Sequence, residues 1–188
     1  MKPLTPASPH AIIMVGIPGS GKSTFAEHFA DTFQAPIINE SRIAFEAHLN
    51  AAQTEVISNS LLKEILKVNR TFLFEAAHST RAKRNAFIRQ VVKAGYKPLI
   101  VWVQTESLES KRRALKKMPA GSGLLSDEFD EIVKKFEAPV PKDSPIVISG
   151  KHTYATQLKV VLKHLAGARP AEPITPPSPR RQGNITVR

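Results

Sequence analysis

Gly16-Ile17-Pro18-Gly19-Ser20-Gly21-Lys22-Ser23-Thr24 is the stretch whose reading decides the fold. It satisfies G-x-x-x-x-G-K-[ST], follows the apolar run Ala11-Ile12-Ile13-Met14-Val15 and precedes Phe25-Ala26-Glu27-His28-Phe29-Ala30. Those residue types in that order read as a buried strand, a phosphate-binding loop and a helix. The glycines let backbone N–H groups turn inward around phosphate oxygens. Lys22 reaches the terminal phosphates, and Ser23 offers its hydroxyl to Mg²⁺. The helix that begins near Lys22 points the positive end of its dipole at the same anion. A chance glycine-rich turn is a poor alternative, because the whole motif is present between a strand and a helix.

Outward from this loop, short apolar runs alternate with segments of helical spacing. The runs Ala35-Pro36-Ile37-Ile38-Asn39, Thr71-Phe72-Leu73-Phe74, Lys97-Pro98-Leu99-Ile100-Val101-Trp102-Val103 and Pro145-Ile146-Val147-Ile148-Ser149 read as four further strands of the buried parallel kind. Helices are predicted over residues 42–50, 54–69, 80–94, 108–118, 126–136 and 154–166, with Ser79 or Thr80 and Ser126 as N-caps. The expected fold is α/β, a P-loop NTPase-type five-stranded parallel sheet with helices on both faces. The segment with Lys111, Arg112, Arg113, Lys116 and Lys117 is expected to form a basic helical lid, a charge run that otherwise reads as a solvated face. Residues 1–9 read as a flexible leader, 10–166 as the folded domain and 167–188 as a disordered Pro/Arg-rich tail.

In such sheets ligands sit beyond the carboxyl ends of the strands. That rule gathers Asn39, Glu40, Glu75, His78 and Gln104 on the rim that carries the loop. A carboxylate at the end of an apolar strand, here Glu75, is suited to holding Mg²⁺ or its water, so Ser23 and Glu75 are the expected metal-side pair.

Composition narrows the class. There are no cysteines, so disulfides and thiolate metal sites are excluded. With no signal-peptide core and no membrane-length apolar run, a cytoplasmic protein without membrane contact is expected. The net charge is +11, and the residues from Arg169 onward carry four arginines and one glutamate, which leaves +8 on the rest. An excess of that size favours a polyanionic partner, of which nucleic acid, and DNA in particular, is the leading choice.

From about His10 to Ala166 the chain resembles the polynucleotide-kinase-like P-loop kinases, a group that shades into zeta-toxin-type kinases and kinases of 5-hydroxymethyluracil in phage DNA. The resemblance rests on the loop itself, on Ile37-Ile38-Asn39, on Phe74-Glu75-Ala76-Ala77-His78, on the basic lid and on Phe136-Glu137-Ala138-Pro139. It implies ATP with Mg²⁺ as donor and a hydroxyl as acceptor. Two departures sit on the acceptor side. The group's Arg-Asp-Asp-x-x-Arg becomes Asn39-Glu40-Ser41-Arg42-Ile43-Ala44, with Ser41 in the place of the catalytic aspartate and Ala44 in that of the arginine. Glu40, one residue displaced, is then the expected base and Arg42 the expected positive charge. The group's Asp-x-Thr-Asn becomes Glu75-Ala76-Ala77-His78, which keeps a carboxylate and puts an imidazole on the substrate side, together with Asn39 and Ser41. Arg112 and Arg113 stand where the group places lid arginines that offset charge on the transferred phosphoryl group.

The function expected from sequence is therefore ATP-dependent phosphorylation of a hydroxyl carried by nucleic acid, either a hydroxymethylated pyrimidine or a 5′-hydroxyl end. The alternatives are a kinase of small molecules or nucleosides, and a nucleotide-binding module without transfer chemistry. A hydrolysing AAA-type motor fits less well, because the chain is short and has no recognisable sensor arginine or second-domain segment.

Overall fold

The structure is a computed structural model that describes residues 9–75, 80–116 and 124–167. The expectations for residues 1–8, for His78, for the lid stretch 117–123 and for the tail beyond Gly167 lie outside it. Five strands, β1 (His10–Val15), β2 (Ile37–Asn39), β3 (Phe72–Glu75), β4 (Lys97–Gln104) and β5 (Ile146–Ser149), form one sheet in the order β2-β3-β1-β4-β5. Every pairing is parallel. The chain leaves β1 toward one edge, returns through β3 and then continues to the other side through β4. The loop after β1 therefore lies where the connections diverge, which is where an open α/β sheet forms a crevice.

Alternation along the strands sorts the core into two layers. Ile12, Met14, Leu73, Val101 and Val103 face α1 (Lys22–Phe33) and α7 (Tyr154–Gly167), packing on Phe25, Phe29, Val161 and Leu165. Ala11, Ile13, Val15, Phe72, Phe74 and Ile100 face the opposite way, against Leu62 of α3 (Ala51–Val68) and Phe87 and Val91 of α4 (Arg81–Lys93). The short α2 (Glu40–Glu46) contributes no buried residue and leans on α3. Beyond β4, α5 (Ser107–Leu115) and α6 (Ser126–Lys134) form a helical pair joined by the Lys111–Asp130 ion pair at 2.6 Å, with the Lys111 ammonium also over the Phe129 ring.

Several boundaries differ from the sequence reading for local reasons. The helix expected from residue 42 begins at Glu40, because the Asn39 side chain accepts the Arg42 N–H and caps α2 at the end of β2. The helix expected from residue 54 starts at Ala51, where Asn50 and Gln53 form a reciprocal capping box. Ser126 is the first residue of α6 and not its cap; the Glu128 carboxylate instead accepts the Leu125 N–H. Thr80 caps α4, accepting the Lys83 N–H.

Two glycines let other elements close on the phosphate loop. Gly19 has φ of +74°, and a Cβ there would collide with the Ser110 carbonyl oxygen of α5. At Gly150 a Cβ would overlap the Ser20 carbonyl oxygen and the Thr105 hydroxyl. The loop after β5 thus lies against the underside of the phosphate loop. Gly150→Ala is expected to cost about 1–3 kcal/mol through overpacking. In a domain of this size that corresponds to a melting temperature lower by about 2–4 °C per kcal/mol, measurable by thermal denaturation followed by circular dichroism.

Candidate active site

The phosphate loop, Gly16 to Thr24, runs from the end of β1 into the first turn of α1. Gly16, Gly19 and Gly21 all have positive φ, so the backbone curls as phosphate binding requires. Ile17 and Pro18 complete the outer bend, and the Ile17 carbonyl oxygen accepts a hydrogen bond from the Lys22 ammonium at 2.9 Å. Lys22 thereby arches over the loop it serves. The Ser20 carbonyl oxygen accepts from the Thr105 hydroxyl at 2.9 Å, which ties the loop to the end of β4. The rim reading names Gln104 and misses Thr105, which directly follows the strand and which no motif marks.

Ser23 and Glu75 meet as expected. The Ser23 hydroxyl donates to Glu75 Oε1 at 2.7 Å, and Glu75 Oε2 accepts from Asn39 Nδ2 at 2.9 Å. Glu75 and Asn39 are both buried. A hydroxyl that donates its hydrogen bond to a carboxylate keeps its lone pairs for a cation. Among the described residues no cluster of three or more His, Cys, Asp or Glu side chains could enclose a metal alone. One hydroxyl with one carboxylate behind it is the sparse donor set that suits Mg²⁺, which keeps waters and takes phosphate oxygens. Bound there with a nucleotide, Mg²⁺ would neutralise charge on the phosphate oxygens.

The other site residues divide. Glu40 and Ser41 open α2 and line a cavity of about 520 Å³ between α2, α3, α4 and Phe74 of β3. Asn39 does not face that cavity; both ends of its amide are engaged, with Glu75 and with the Arg42 N–H. Arg42 lies on the outer surface of α2, its side chain 61% exposed and paired with Glu46 at 2.7 Å. The bond to Glu46 raises its pKa further. Its guanidinium is thus engaged by the next turn of its own helix.

The two lid arginines separate by orientation. Both bond to Glu109, whose carboxyl is held down to about 2 by Arg112 and then Arg113. Arg112 is 58% exposed, whereas Arg113 is 35% exposed and donates from Nη1 to the Gly150 carbonyl oxygen at 3.1 Å. Arg113 is therefore the one that reaches the loop lying against Ser20. Because the folded pKa of Glu109 lies below its ordinary 4.5, this arrangement is complete above about pH 4.5 and is lost as pH falls toward 2. Glu109 went unnoticed in the sequence; its spacing of three and four residues from the two arginines is the signal that could have found it. Lys83, Gln90, Glu55 and Asn59, which line the cavity from α4 and α3, had no signal beyond helical spacing.

The AAA_33 family model, described as an AAA domain, matches residues 12–139. The chain belongs to the AAA_33 family. No curated protein matches it significantly. Among solved structures, this AAA domain is similar to a gluconokinase from Sinorhizobium meliloti 1021, with 18% identity, TM-score 0.61 and coverage of 85% of this chain and 93% of the other. The APS kinase CysC of Mycobacterium tuberculosis, in complex with AMPPNP and APS, gives 19% identity, TM-score 0.60 and coverage of 86% and 99%. Kti12 of Chaetomium thermophilum, in complex with ADP-AlF3, gives 16%, 0.61 and 83% and 97%. The fold is that of a P-loop protein of the kinase type. None of these neighbours is named as a polynucleotide kinase, and the finer resemblance read from the sequence gains nothing from them. Among the described residues no helix is long and apolar enough to cross a membrane.

The unequal placement of the arginines gives a direct expectation. Arg113→Ala should weaken ADP binding about ten-fold, the usual scale for a hydrogen bond to a charged group, while Arg112→Ala leaves it unchanged. Isothermal titration of the two variants checks this, and equal effects would mean that neither arginine is selected by the fold.

Proposed function

We propose that this AAA_33-family chain transfers the γ-phosphoryl group of ATP to a hydroxyl of a small acceptor held between α3 and α4. The observation that carries the reading is the cavity of about 520 Å³, whose α2 end is formed by Glu40 and Ser41. Its size suits a sugar, polyol or nucleoside. Phe74 and Phe87, with ring centroids 4.3 Å apart, supply an apolar wall, while Thr54, Glu55, Asn59, Lys83 and Gln90 supply hydrogen-bonding groups. Solved structures of the same fold include enzymes named as a gluconokinase, a sugar kinase and an APS kinase, which agrees with a small acceptor.

In this reading each residue has one task. The backbone of Gly16 to Thr24 and the Lys22 ammonium hold the triphosphate, with Ser23 and Glu75 at the Mg²⁺ side. Arg113 adds positive charge from the lid. Glu40 takes the proton of the acceptor hydroxyl as its oxygen attacks phosphorus and the bond to the β-phosphate oxygen breaks. Glutamate reaches one methylene further than aspartate, which compensates for its displacement by one residue. Ser41 lies at the same end of the cavity and orients the acceptor.

A nucleic-acid acceptor rests on net charge and on the residues from Arg169 onward. The cavity itself argues against it, since among its described lining residues Glu40 and Glu55 outnumber Lys83. Two carboxylates beside one ammonium disfavour a phosphodiester chain and favour a neutral or cationic molecule.

The deciding experiment is transfer of labelled γ-phosphate from ATP to a panel of sugars, polyols, nucleosides, hydroxymethylated DNA and 5′-hydroxyl oligonucleotides. Label is expected on a small acceptor. Label confined to the oligonucleotides would restore the nucleic-acid reading, and none on any acceptor would leave a nucleotide-binding module. With the accepted substrate, Glu40→Gln should lower kcat by about 10²–10⁴-fold, the range for a lost general base, with ATP affinity retained. Lys22→Ala should abolish transfer.

A further inference from the structure

Asn39 is the last residue of β2, and its amide is committed at both ends. Its Oδ1 accepts the Arg42 N–H at 2.9 Å, and its Nδ2 donates to Glu75 Oε2 at 2.9 Å. The second oxygen of Glu75 accepts the Ser23 hydroxyl at 2.7 Å. These three bonds make one continuous chain from the start of α1, through the end of β3, to the start of α2. The orientation of the amide follows from its partners: an N–H must meet an oxygen, and a carboxylate must meet an NH₂.

The two bonds do different things. The bond to the Arg42 N–H fixes the first turn of α2, and so the backbone that carries Glu40. The bond to Glu75 fixes the plane of a carboxylate that would otherwise rotate about its side-chain torsions. With Oε2 held, Oε1 stays turned toward Ser23 and keeps the hydroxyl proton pointed away from the cation position. Outer partners of this kind orient metal ligands, and losing one typically costs about 10–100-fold in metal affinity.

We infer that Asn39 is a positioning residue that joins the Mg²⁺ side of the site to the helix carrying the proposed base, so that metal binding and the placement of Glu40 are coupled through one buried amide. The inference rests on the kinase reading, because it takes Ser23 and Glu75 as the Mg²⁺ side. Asn39 itself touches neither nucleotide nor acceptor in this assignment.

The test separates capping from the grip on Glu75. Asn39→Ser keeps an oxygen able to cap α2, since serine is a preferred cap, but is too short to reach Glu75. Binding of a fluorescent ADP analogue to the full chain is followed during Mg²⁺ titration, and again in EDTA. The expected result is unchanged affinity in EDTA and a Mg²⁺ concentration for half-maximal effect raised about ten-fold, the lower end of the range for a lost outer partner. If that variant does not fold, Asn39→Thr, which fills more of the vacated volume, gives the same comparison. An unchanged Mg²⁺ midpoint in a folded variant overturns the inference. So does a loss of affinity that is equal with and without Mg²⁺, which is the mark of a structural role alone. Parent protein whose ADP binding ignores Mg²⁺ would overturn the kinase reading, and the inference with it.

Discussion

The hydrogen bond between Ser23 and Glu75 joins residues 52 positions apart, and the donor half of the site depends on it. It exists because β3 runs parallel beside β1, so that the ends of both strands reach the same rim. A parallel pair cannot be made by a tight turn; it needs a crossover, here supplied by α1, β2, α2 and α3. Residues 16–71 are thus the connection that brings a hydroxyl and a carboxylate within 2.7 Å. The same crossover sets β2 outside β3, which places Asn39 against the far oxygen of Glu75.

The opposite half of the sheet supports the loop from beneath. Thr105 after β4 and Gly150 after β5 both meet the Ser20 carbonyl, one by a hydrogen bond and one by close approach. Gly19 admits α5 in the same way. Three segments therefore restrain the loop's backbone. Such preorganisation means that binding spends little on ordering the loop.

Charge acts on two scales. The excess of +11 is a property of the whole chain and attracts anions such as ATP over long range. The described residues of the cavity between α3 and α4 include two glutamates and one lysine. A basic protein can therefore have a cavity whose described charged groups are mostly acidic. Net charge summed along a sequence cannot separate the two, because it carries no record of which side chains share a surface.

The sequence by itself determined the five parallel strands, the phosphate loop and the meeting of Ser23 with Glu75, since these follow from apolar runs, glycine spacing and a carboxylate at a strand end. The helix after β2 reads from residue 42 in the sequence, and it opens instead at Glu40 because the Asn39 side chain caps it. Only the tertiary structure decided the rest. Arg42 and Arg113 look alike in the sequence, yet one pairs with Glu46 at the surface and the other reaches Gly150. Asn39 looked like a group for the acceptor and is instead spent on Glu75 and α2. The physical reason is the same in each case: a side chain's role is set by the partner its element delivers, and for these residues that partner comes from a distant strand end or from the next helical turn.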